Sequence, residues 1–162
     1  YKVNLPDTYL TYPLNFASST FDKILEKYSF DIVANFAAHK HVRSEKDVIS
    51  IEAMIDNNVF SAQGLLEKLS KTPPEHFFCA STEKAANPVN VMGSSKKMME
   101  NLIMSYASDF KITTARFANV AFSNGSLLDG YLFRLMQMQP ISCPSDVKRY
   151  FVSPEESGQI CL

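Results

Sequence analysis

Three short apolar runs, each separated from the next by a helical pattern, constrain this chain more than any other feature. The runs are Asp31-Ile-Val-Ala-Asn-Phe-Ala-Ala38, His76 to Ser81, and Ile112-Thr-Thr-Ala-Arg-Phe117. They are short and largely apolar or β-branched, so they read as buried strands. Between the first two, Ile51, Met54, Ile55, Val59, Ala62, Leu65, Leu66 and Leu69 recur at helical spacing over about 48–69. Between the last two, Met92, Lys96, Met99 and Ile103 do the same within a helix predicted over about 91–108. Strands joined by helix-length crossovers lie parallel. The reading is therefore an α/β chain, a parallel sheet with helices on both faces.

Punctuation residues divide the rest. Residues 1–16 carry Pro6 and Pro13 and read as loop with at most one short strand. Ser18-Ser19-Thr20 offers caps to a helix carrying Phe21, Ile24, Leu25 and Tyr28. His39 to Lys46 is a polar loop, Pro73-Pro74 stops the long helix, and Asn87-Pro88 marks a loop with Asn90 as the next N-cap. A turn at Ser123-Asn-Gly-Ser126 leads to a helix over 127–138, stopped by Pro140. A short strand around 150–152 precedes Ser153 as cap and Pro154 at a first helical position.

Composition excludes several functions. A net charge of −1 and no basic run argue against a nucleic-acid partner. Cys79, Cys143 and Cys161 follow no metal or disulfide spacing and read as reduced thiols of a cytoplasmic protein. His39-Lys40-His41 has two imidazoles but no further ligand in evidence, so no metal is expected. No apolar run approaches the roughly 18–20 residues of a membrane helix, so no membrane segment is indicated in this stretch. Met92, Met98, Met99 and Met104 are expected in the core, and Asn58 is expected to be a structural hydrogen-bonder.

The chemistry concentrates in Ala80 to Lys96. A hydroxyl, a carboxylate and an amine, Thr82, Glu83 and Lys84, emerge at the carboxyl end of a buried strand, where parallel sheets place their ligands. The spacing of Met92, Lys96, Met99 and Ile103 puts Lys96 on the apolar stripe of the following helix and leaves Lys97 as the ordinary exposed lysine.

Here the residues resemble a family. Met92-x-x-x-Lys96 resembles the Tyr-x-x-x-Lys signature of extended short-chain dehydrogenase/reductases, with Met for Tyr. Ser81-Thr82-Glu83-Lys84, with the Ala-Ala-Asn-Pro-Val-Asn-Val-Met-Gly-Ser-Ser-Lys96 that follows, resembles a block of the UDP-N-acetylglucosamine 4,6-dehydratases of polysaccharide biosynthesis. That block reads Ser-Thr-Asp-Lys-Ala-x-Asn-Pro-x-Asn-x-(Met/Tyr)-Gly-x-(Ser/Thr)-Lys. Asn35-Phe-Ala-Ala-His-Lys-His-Val42, Asn57-Asn58-Val59, Arg116-Phe-Ala-Asn-Val120 with Ser123-Asn-Gly-Ser126, and Lys148-Arg149-Tyr150-Phe151 resemble further segments of the same family. The resemblance runs from about residue 15 to the end.

It implies NAD as cofactor and a UDP-sugar as substrate, a homo-oligomer, and 4,6-dehydration to a 4-keto-6-deoxy sugar nucleotide. Thr82 would bind the C4 oxygen, Glu83 would protonate the C6 leaving group, Lys84 would remove the C5 proton, and Lys96 would hold the nicotinamide ribose. Ala37, Ala38, Lys40, Asn119 and Val120 would line the cofactor; Ser126, Arg149 and Tyr150 would meet the nucleotide. Residues 1–122 would form a partial NAD-binding Rossmann-like core with the catalytic block, and 123–162 the start of a small substrate-binding region packed on it. The acid needs its proton and the base must lack one. Burial favours both states, while mutual attraction opposes them.

Three departures stand out. Glu83 replaces the usual Asp and reaches about one methylene further. Met92 has no proton to exchange, marks one branch of the dehydratases, and leaves O4 to Thr82 or Glu83. No Gly-x-Gly-x-x-Gly turn occurs within the 162 residues. The first glycine-rich βα unit is therefore lacking, a fragment of a longer protein is expected, and NAD should bind this stretch poorly. A 4-epimerase of the same superfamily and a non-catalytic fragment are the rival readings.

Overall fold

The computed structural model describes residues 8–40 and 45–162. Its order is α1 (Ser19–Lys27), β1 (Ile32–Asn35), α2 (Val48–Ile55), a π-helical turn (Asp56–Phe60), α3 (Ser61–Leu69), β2 (His76–Thr82), a 3₁₀ turn (Glu83–Ala85), α4 (Val91–Met104), β3 (Lys111–Phe117), β4 (Asn119–Val120), α5 (Leu127–Met136), β5 (Phe151–Val152) and α6 (Pro154–Cys161). The readings made at residues 1–7 and at His41 and Val42 fall outside the described residues.

β1, β2 and β3 form a parallel sheet in that order, with Val33 opposite Phe77 and Ser81 opposite Arg116. Crossovers between parallel strands share one hand as a rule, so two of them in sequential order put their helices on one side. Alternate strand residues Phe77 and Cys79 accordingly meet Ala62, Leu65, Leu66 and Leu69 of α3 and Met99 and Ile103 of α4. Phe21 and Leu25 of α1 pack on the same cluster, and Lys68 of α3 pairs with Asp22. Each fully buried Leu, Ile or Phe here contributes roughly 1.5–3 kcal/mol relative to exposure. On the opposite side the Phe78 and Phe36 rings meet at a tilt of 48° with centroids 5.6 Å apart, while Ile32 and Phe36 themselves are exposed. β4 and β5 form a second, two-stranded parallel pair, and α6 lies against β3.

Element types match the sequence expectations; boundaries and one geometry differ. The helix expected over 48–69 is interrupted by the π-helical turn, which aims Asn58 inward. The strand expected over 31–38 stops at Asn35, whose side-chain oxygen takes the Ala37 N–H at 3.0 Å and turns the chain. α4 ends at Met104, four residues early, because the amides of Ser105 and Tyr106 bond back in tight turns. α5 ends at Met136, and Met138 then takes a left-handed φ of 51° before Pro140. Asn90 caps α4 through the Gly93 amide at 2.8 Å, and Ser153 with Glu156 forms a full capping box. Of the methionines expected in the core, Met92 and Met99 are buried but Met98 and Met104 are exposed. At about 100° per residue they face away from the stripe.

Cys79, Cys143 and Cys161 are unpaired. No helix among the described residues is long and apolar enough to cross a membrane. No group of three His, Cys, Asp or Glu side chains among them could hold a metal.

Candidate active site

The parallel order brings the carboxyl ends of β1, β2 and β3 to one edge, and the candidate residues follow those ends. At the end of β2 the backbone enters the 3₁₀ turn, and three side chains line up. Thr82 Oγ1 donates to Glu83 Oε2 at 2.9 Å, and Lys84 Nζ meets Glu83 Oε1 at 2.7 Å. The Glu83 and Lys84 side chains retain 42% and 32% exposure, so they border solvent and do not sit in a dry pocket. Burial pushes the Glu83 carboxyl up, but hydrogen bonds from Lys84 and Thr82 and the lysine charge outweigh it, leaving the carboxyl below its usual range. Of the two opposing effects, attraction wins at Glu83.

α4 holds the turn from behind. Gly93 sits so close that a Cβ there would lie 2.7 Å from the Lys84 carbonyl oxygen. Lys96 lies on the apolar stripe as its spacing indicated, only 6% exposed. Its ammonium donates to Ala80 O at 3.1 Å and lies 3.7 Å from Met99 Sδ. Burial holds its pKa below the ordinary lysine value, and burial likewise pushes the neighbouring Cys79 thiol up to about 11. With three N–H donors and two partners, one a weak thioether acceptor, Lys96 has hydrogen-bonding capacity to spend on a ligand. Met92 is buried beside it and brings no titratable group.

Asn58 is structural, as expected, and fully enclosed. Its side chain accepts from His39 N at 2.8 Å and donates to His39 O and Ser95 Oγ at 3.0 Å each. That clamp fixes the loop after β1, which carries Ala37, Ala38 and Lys40, against α4. Lys40 Nζ donates to Asn124 O at 2.8 Å and thereby ties this loop to the 123–126 turn. Asn119 and Val120 form β4; Asn119 Nδ2 donates to Tyr150 O at 3.2 Å. Ser126 caps α5, with its hydroxyl accepting from Asp129 N at 3.3 Å. Arg149 and Tyr150 are exposed. Among the described residues, no hydrogen bond or ion pair joins Ser126, Arg149 or Tyr150 to the Thr82–Lys84 turn.

Three contributors had no sequence reading. Glu45 Oε1 accepts the Met92 amide at 2.8 Å, serving the amino end of α4 from 47 residues away. Gly93 permits the close approach of α4 to the turn. Glu100, on α4, bonds Ser81 and Arg116. Two of them left a trace in the sequence: Gly93 belongs to the block that resembles the family, and Glu100 lies four residues beyond Lys96, and so on the buried side of the helix.

Comparison with known proteins agrees with the fold and shows the family. The chain is 30% identical over 142 residues to "Probable polysaccharide biosynthesis protein EpsC" of Bacillus subtilis, covering 86% of this chain and 23% of that one. It superposes on UDP-glucose 4-epimerase of Thermotoga maritima, solved with UDP-glucose, at a TM-score of 0.83 and 19% identity. That match covers 98% of this chain and 59% of the epimerase. A dTDP-glucose 4,6-dehydratase of Streptomyces venezuelae, solved with NAD bound, matches at a TM-score of 0.74 and 15% identity, covering 90% and 51%. The chain thus spans about a quarter of EpsC, 59% of the epimerase and about half of the dehydratase. The family model of the polysaccharide biosynthesis proteins matches residues 17–162, including every candidate residue named above, and the chain belongs to that family.

Proposed function

We propose that this chain carries the elimination centre of an NAD-dependent UDP-N-acetylhexosamine 4,6-dehydratase. The observation that carries the reading is the Thr82–Glu83–Lys84 array at the end of β2, backed by Lys96 with an unspent donor. Lys96 suits a ribose hydroxyl, and Ala37, Ala38, Asn119 and Val120 occupy the adjoining strand ends. These residues fit the nicotinamide end of NAD. Bound there, the dinucleotide supplies hydride acceptance from C4 and hydride return to C6.

The chain's own groups handle the protons. Met92 cannot take the O4 proton, whereas the Thr82 hydroxyl already donates to Glu83. In this relay the O4 proton passes to Thr82 Oγ as the Thr82 proton passes to Glu83. An ionised Glu83 is the form that can receive it, which agrees with its lowered pKa. Glu83 then gives that proton to the C6 hydroxyl, which leaves as water. Lys84 enters as the ammonium paired with Glu83 and must first give its proton to solvent; the amine then removes the C5 proton and later restores one there. Protons and hydride balance: the sugar loses one water and keeps its hydrogen count otherwise. Residues 1–122 hold this core, and 123–162, with Ser126, Arg149 and Tyr150, supply the nucleotide side; Arg suits phosphate oxygens.

The test is incubation of the intact protein with UDP-N-acetylglucosamine and NAD in deuterated water. A 4-keto product absorbing in alkali, with deuterium at C5, is expected; Lys84→Ala should lose the C5 exchange. A second reading, 4-epimerisation, is supported by the likeness to the Thermotoga epimerase. It predicts a C4 epimer with no C5 deuterium, and it gives the Glu83–Lys84 pair no task.

A further inference from the structure

Glu100 is a buried carboxylate, 5% exposed, that the proposed chemistry does not use. It lies four residues after Lys96 on α4, one turn along the same face, which is ion-pairing distance for a Lys and a Glu. Yet the Lys96 ammonium turns to Ala80 O and Met99 Sδ. Both oxygens of Glu100 are committed elsewhere. Oε1 accepts from Ser81 Oγ at 2.6 Å and from Arg116 Nε at 2.9 Å; Oε2 accepts from the Arg116 terminal nitrogen at 2.6 Å. Lys97 stands 3.9 Å from Oε2. The guanidinium is thus a two-pronged clamp, and its carboxylate is pinned toward β3.

We propose that Arg116 is a positioning residue: by holding both oxygens of Glu100 it keeps that carboxylate off Lys96 and leaves the ammonium free to serve the carboxyl end of β2. The same carboxylate, through Ser81, fixes the residue that precedes Thr82. Without the clamp, a buried carboxylate and a buried ammonium one turn apart would pair, because little solvent screens them. Lys96 would then be drawn away from the site and would hold its proton more tightly. The titratable and charged groups facing this pair are Cys79 on β2, Lys97 on α4 and Arg116 on β3.

The importance of Arg116 for catalysis rests on the reading of Lys96 as the ribose-holding residue, but its effect on Lys96 does not. The experiment is therefore the titration of Lys96 in the intact protein, by NMR of 13C-enriched lysine, with the signal identified by its loss in Lys96→Met. Arg116→Lys keeps the positive charge on β3 but lacks the planar fork that grips two oxygens. It should raise the Lys96 midpoint by about half a pH unit or more, roughly threefold in proton affinity. Arg116→Lys combined with Glu100→Gln should return it to the original value or below. Arg116→Met should give a larger rise and serves if the lysine variant does not fold. An unmoved Lys96 midpoint in a folded Arg116 variant overturns the proposal, as does a double variant that keeps the raised value. If the shift appears in a protein that makes no 4-keto sugar, the clamp stands and only the dehydratase reading falls.

Discussion

Gly93→Ala is the sharpest single perturbation of the site, because the structure sets its consequence in ångströms. An added Cβ would stand 2.7 Å from the Lys84 carbonyl oxygen, 3.3 Å from its carbon and 3.1 Å from the Asn90 side-chain oxygen that caps α4. Carbon–oxygen contacts of this kind settle near 3.3–3.6 Å, so the Lys84 carbonyl must retreat by about 0.6 Å or more. Two of the three obstacles are backbone, and the backbone is the very turn that presents Glu83 and Lys84. Overpacking of this sort costs about 1–3 kcal/mol. Alanine's better helix propensity returns about 0.8–1.0 kcal/mol. The net loss is about 1 kcal/mol, a fall in Tm of about 2–4 °C for a domain this size. The catalytic loss should be larger in proportion, roughly tenfold or more in kcat, since about 1 Å of misplacement can cost on the order of 100-fold. Gly64→Ala is the matched control: it lies inside α3 with no atom near its missing Cβ. It should gain about 0.5–1 kcal/mol and leave turnover alone. Differential scanning calorimetry and steady-state rates on the pair test the argument. If Gly93→Ala matched Gly64→Ala in both measurements, the close packing of α4 against the 83–85 turn would not control the site.

Lys96→Met should raise stability by about 1 kcal/mol at neutral pH, since it replaces a buried, poorly partnered ammonium with a side chain of similar length, and in the intact protein should weaken NAD binding roughly tenfold or more by calorimetric titration. The folded-state pKa of Lys96 is depressed, so the unfolded chain binds more protons between that value and the ordinary one; the original protein gains stability as pH rises through this window, and the advantage of the variant should shrink there in urea melts. Glu100 is the opposite case: hydrogen bonds from Arg116 lower its carboxyl despite burial, so its contribution is complete above the ordinary carboxylate range and is lost as pH falls through the depressed value. The stability gap between the original protein and Glu100→Gln should therefore narrow on acidification below about pH 4. Asn58→Ala strands the His39 amide and carbonyl and should cost about 2–3 kcal/mol, with faster hydrogen exchange at the His39 amide.

Much of this molecule is legible in local pattern. The alternation of short β-rich runs with helical spacings dictates a parallel sheet, because crossovers of that length leave few other arrangements. The stripe position of Lys96, the caps Asn90 and Ser153, and the gathering of Thr82, Glu83 and Lys84 at a strand end all follow from residue spacing alone. Tertiary structure decided what spacing cannot encode. It tipped Asn58 into a π-helical turn, brought Glu45 to the amino end of α4, pressed Gly93 onto the Lys84 carbonyl, and set Arg116 rather than Lys96 as the partner of Glu100. Each of these joins residues from different elements, and their distances depend on how strands and helices pack, a sum over many weak contacts that no local window contains. The protonation of Glu83 belongs to the same class: the sequence supplies both the burial that raises a carboxyl and the lysine that lowers it, and only the three-dimensional distances and exposure decide that attraction wins.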